Sequence, residues 1–70
     1  MYIVICILLW LGAINPNNAY TTSDIQLLET QYAPIISVVE SLPFLELQIE
    51  AQEGPEALII TNELDGSTSK

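Results

Sequence analysis

Histidine is missing from this chain, and a single lysine, Lys70, is its entire complement of basic residues. The first absence removes the commonest metal ligand and the usual acid–base group of neutral pH. The second removes any means of neutralising phosphates, so nucleic acid is excluded as a partner. It also excludes docking on anionic lipid, which needs a basic stretch beside the anchor. One cysteine, Cys6, cannot make an intramolecular disulfide, and within an apolar run it reads as a small hydrophobe. No Asn-X-Ser/Thr sequon occurs, so N-glycosylation is not expected.

Acidic residues are plentiful, and their distribution is uneven. All nine, from Asp24 to Asp65, follow Ala19, and the formal net charge is −8. Such a charge favours solubility and repulsion between copies and allows attraction to a basic partner, and a solvated acidic surface is the plainer reading of it. The segment before Ala19 has the opposite character. Met1 to Ile14 is uncharged and almost wholly apolar, and it stops abruptly at Asn15-Pro16-Asn17-Asn18-Ala19.

Tyr2–Ile14 has the length of a signal-peptide apolar region, with helix-breaking residues behind it and Ala19 as a small residue at a cut. Two features disagree: no Lys or Arg precedes the run, and Asn17 is not the small residue that cleavage asks for. As a membrane anchor it is short, since a spanning helix needs about 20 apolar residues. As a buried core segment it is ambiguous between helix and strand, being rich in β-branched residues. We therefore expect residues 1–19 to be a hydrophobic signal peptide or membrane anchor. Residues 20–70 should then form a small acidic domain, whose 51 residues need support from a partner or from the membrane.

Within that domain Ser23-Asp24-Ile25-Gln26 has the form of a capping box, followed by Ile25, Leu28 and Tyr32 at helical spacing. Pro34 should break or kink this helix. Ile35, Val39 and Leu42 keep the apolar stripe in phase, giving a helical region over 23–42, although Pro34 and the β-branched residues that follow it favour extended structure. Phe44 to Glu50 alternates apolar and polar residues, the pattern of a half-buried strand. Gly54-Pro55 reads as a turn, and Ala57 to Leu64 as a second β-rich segment. Together these predict a β-hairpin over 44–64, with a flexible tail at 65–70. The expected fold is small α+β: an N-terminal signal or anchor helix, an amphipathic helix broken at Pro34, and a C-terminal hairpin.

No arrangement of residues carries a reaction. Glu46 and Glu50 are the nearest approach to a carboxylate pair, and a hairpin surface offers no cleft to separate their pKa values. The serines lack a histidine base. Asn62, Glu63 and Asp65-Gly66 do not match the EF-hand spacing. We expect no enzyme activity, no cofactor and no metal. Two apolar faces remain, one carrying Ile25, Leu28 and Tyr32 and the other Leu45, Leu47 and Ile49. They either bury each other or contact a partner, and these six are the candidate contact residues.

The chain is accordingly expected to be a non-enzymatic secreted or membrane-associated protein acting through protein contacts or self-association, with membrane contact through residues 2–14. A second expectation is a single-pass subunit of a larger membrane or virus-like assembly. A third is a soluble β-containing interaction domain with residues 3–11 as a core strand.

Overall fold

The computed structural model describes residues 2–68 and contains four helices: α1 (Tyr2–Leu11), α2 (Thr22–Gln31), α3 (Ala33–Glu40) and α4 (Pro43–Thr68). Among the described residues there is no strand. The α+β expectation is therefore corrected to an all-helical fold.

Helix α1 begins in a run without proline or glycine and ends where glycine first appears. Gly12 adopts φ +79°, the left-handed conformation that costs an L-residue about 1–2 kcal/mol. Its N–H donates to the Leu9 carbonyl at 3.0 Å, and the Ala13 N–H donates to that of Leu8 at 2.9 Å. These crossed bonds form a Schellman closure that satisfies two terminal carbonyls. The chain then turns through residues 15–20. The Asn17 N–H donates to Asn15 Oδ1 at 2.9 Å, and the Asn15 N–H donates to the Tyr20 hydroxyl at 2.9 Å.

A capping box opens α2, but at Thr21 and Asp24 rather than at Ser23 and Gln26. The Asp24 N–H donates to Thr21 Oγ1 and the Thr21 N–H to Asp24 Oδ2, both at 3.1 Å. The shift has a simple cause: Thr21-Thr22-Ser23-Asp24 carries the same Ser/Thr-x-x-acid pattern two residues earlier. Helix α2 stops at Tyr32, whose backbone leaves helical geometry, and Pro34 lies in the first turn of α3, where its missing N–H costs nothing. Ser41 closes α3, its hydroxyl donating to the Val38 carbonyl at 2.7 Å. Pro43 then starts α4.

The core is built around α1. Val4, Ile5, Cys6, Ile7, Leu8 and Leu9 are all buried, so this helix is covered on every side. Its main neighbour is α4, and α2 and α3 also pack on it. Ile14, Ile25, Ile36, Val39, Ile49, Ala57, Ile60 and Leu64 complete the core. Seven of the fourteen buried hydrophobic residues thus come from positions 4–14. The segment expected to be a signal or anchor helix is the central helix of this fold. The expected core strand at 3–11 is likewise helical. Among the described residues no helix is long and apolar enough to cross a membrane.

Helix α4 replaces the hairpin expected at 44–64. Its 26 residues correspond to about 39 Å at 1.5 Å per residue, comparable with the 36 Å long axis of the molecule. Leu, Glu, Gln and Ala dominate its first half, and all are good helix formers. The Gly54-Pro55 pair does not end it. A proline inside a helix costs about 3 kcal/mol. Here Ile49 on one side of Pro55, and Ala57, Ile60 and Leu64 on the other, all bury in the core, and that burial offsets the cost. The helix also runs through 65–68, where a tail was expected; residues 69 and 70 lie outside the described residues.

Candidate protein-contact surface

Because α4 packs on α1 along one face only, its opposite face is left to solvent. Phe44, Leu47, Ala51 and Leu58 are spaced by three, four and seven residues and share that outer face. All four are exposed, with Phe44 at 84%, Leu47 at 60% and Leu58 at 52%. Helix α3 adds a second outer row, Ile35 and Val38, continued by Leu42 after its end, and all three are exposed. Two apolar rows on neighbouring helices exceed the scattered single hydrophobes that a surface ordinarily shows.

The electrostatic setting is one-sided. Glu46, Glu50 and Glu53 follow one another along α4 at helical spacing and are half-buried, while Glu40 and Glu56 are exposed. Between residues 2 and 68 there is no lysine, arginine or histidine to pair with any of them. Where α1 meets this row, Tyr2 and Cys6 sit one turn apart. Burial pushes the Cys6 thiol above its ordinary 9.0, with Glu50 and Glu53 adding to the rise and the Tyr2 hydroxyl opposing it through a hydrogen bond. The Tyr2 hydroxyl is raised above 10.0, first by desolvation and then by Cys6 and Glu50. A methyl group added at Gly54 would lie 2.7 Å from the Tyr2 hydroxyl oxygen, so this glycine permits the close approach of α1.

Of the six candidate contact residues, Ile25 and Ile49 are core residues, and Leu28, Tyr32 and Leu45 are partly buried against the core. Leu47 alone is exposed. The structure therefore brings five of them to the interior and places the sixth on the outer face of α4. Phe44 and Leu58, which flank Leu47 there, were not among the candidates. Their common face becomes visible only when residues 44–58 are read at helical period through Pro55.

Among the described residues no pocket is found, and no group of three or more His, Cys, Asp or Glu is placed to hold a metal. No family model, curated protein or solved structure matches the chain.

Proposed function

We propose that this chain is a small non-enzymatic protein that acts through protein contacts made by the outer face of α4 and the adjoining row of α3. The observation that carries this reading is the exposure of Phe44, Leu47 and Leu58 along one side of a helix whose other side is already committed to the core. The lack of histidine, and of any base other than Lys70, supports the absence of catalysis. A photo-crosslinking amino acid at position 47, introduced into the chain in its native host, tests the contact. Discrete adducts of higher mass are expected; their absence at 47 and at 58 would overturn the proposal.

Export or membrane association belongs to the same proposal, supported by the uncharged run Tyr2–Ile14. Intact-mass measurement separates its arms. Loss of residues 1–19 marks secretion, a full-length chain in membranes marks an anchor, and a full-length soluble monomer sinks both. Where residues 1–19 are lost, Ile25, Ile49 and Ile60 lose the helix that covers them, and the need for a protein partner increases.

A second reading, a structural subunit of a larger assembly, is favoured by the 26-residue α4 with its outer apolar row, a form suited to helix–helix assembly. It predicts that mild detergent extraction releases a complex of fixed stoichiometry rather than a free chain.

A further inference from the structure

We infer that the outer face of α4 takes a basic amphipathic helix of a partner protein, not a second copy of this chain; this rests on the contact surface proposed above. Phe44, Leu47, Ala51 and Leu58 fall on seam positions of a two-helix packing, interrupted at the buried Gly54 between Ala51 and Leu58, so the complementary shape is another helix. Charge then selects which helix. Glu50 follows Leu47 by three residues and borders the seam, Glu40 is exposed just before α4, and residues 2–68 contain no cation. Two copies carrying a formal −8 each would bring like charges together along this face. Lysine or arginine flanking a partner's apolar seam supplies what the chain lacks.

The test uses the full chain and two labelled three-heptad peptides with leucine at the seam positions. One carries lysine at the flanking positions, and its twin carries glutamate. Fluorescence anisotropy should show the lysine peptide binding at least tenfold more tightly than the glutamate peptide. Leu47→Asp and Leu58→Asp should each weaken lysine-peptide binding by about thirtyfold, as for an anchor residue at an interface centre. Both positions are exposed, so helical circular dichroism should be unchanged; Phe44→Gln and Leu47→Gln serve if either aspartate variant fails to fold. Raising the salt from about 0.1 M to about 1 M should weaken the lysine peptide without abolishing its binding, because the apolar seam is not screened.

Equal binding of the two peptides, or binding indifferent to Leu47 and Leu58, would overturn the inference. So would sedimentation showing that the chain alone forms a dimer that Leu47→Asp dissolves. Crosslinked adducts at position 47 together with failure of the lysine peptide would sink this inference and leave the contact surface standing. Absence of adducts would sink the surface itself.

Discussion

Replacing Leu8 by alanine tests whether α1 is the core of the molecule. Leu8 is fully buried, in a helix covered on every side. The change removes three carbons, worth about 2.5 kcal/mol at roughly 0.8 kcal/mol each. The cavity left behind adds to this, and buried Leu→Ala changes cost about 2–5 kcal/mol in all. A domain of this size has a total stability of about 4–10 kcal/mol at 0.05–0.15 kcal/mol per residue. The variant should therefore lose about a fifth or more of its stability. With a urea slope of about 1 kcal/mol/M, the unfolding midpoint measured by far-ultraviolet circular dichroism should fall by about 2 M or more. Leu47→Ala is the matched control. It deletes the same carbons from an exposed side chain and should change stability by no more than about 0.5 kcal/mol. Equal, small effects at positions 8 and 47 would refute the reasoning and remove residues 2–11 from the core.

Pro55→Ala should raise both helical content and unfolding midpoint, by up to about 3 kcal/mol, because it restores an intrahelical donor; a lowered midpoint would restore the turn. Thr61→Val should stabilise the fold by about 1 kcal/mol, since the Thr61 hydroxyl is buried without a hydrogen-bond partner, and chemical denaturation checks the sign. Gly12→Ala should cost about 1–2 kcal/mol through its left-handed backbone alone, as no atom lies within 4 Å of the added carbon; a D-alanine at this position, introduced by synthesis, should recover the loss. Cys6 holds its proton more tightly folded than unfolded. Its contribution is therefore constant below its ordinary value of 9.0 and lost as pH rises through the higher folded value, so urea midpoints should fall between pH 8 and pH 10. A midpoint that rises over that interval would contradict the burial of the thiol.

How far the sequence speaks for itself differs between segments. The break near Pro34 and a capped helix start in this region follow from local chemistry, although the expected cap, Ser23, lies two residues after the observed one, Thr21. The alternation of Leu45, Leu47 and Ile49 pointed to a strand for a physical reason. Leu45 and Ile49 lie one helical turn apart and face the core, whereas Leu47 is apolar on the outer face. An exposed leucine therefore completed a false period of two. Gly54-Pro55 misled in the same direction, because local turn preference carries no information about the burial that holds α4 together on both sides of it. The exposed apolar face of α4 was illegible for the same cause: while residues 44–64 are read as two strands, Phe44 and Leu58 share no surface.

The central position of α1 also sets a timetable. Ile5 and Ile60 belong to one core but stand 55 residues apart in the chain. At a synthesis rate of about 5–20 residues per second, roughly three to eleven seconds separate their appearance. Throughout that interval the most apolar segment of the protein exists without the helix that will cover it. Its fate is then a race between intramolecular closure and capture by whatever binds nascent apolar helices, and a slower ribosome favours capture.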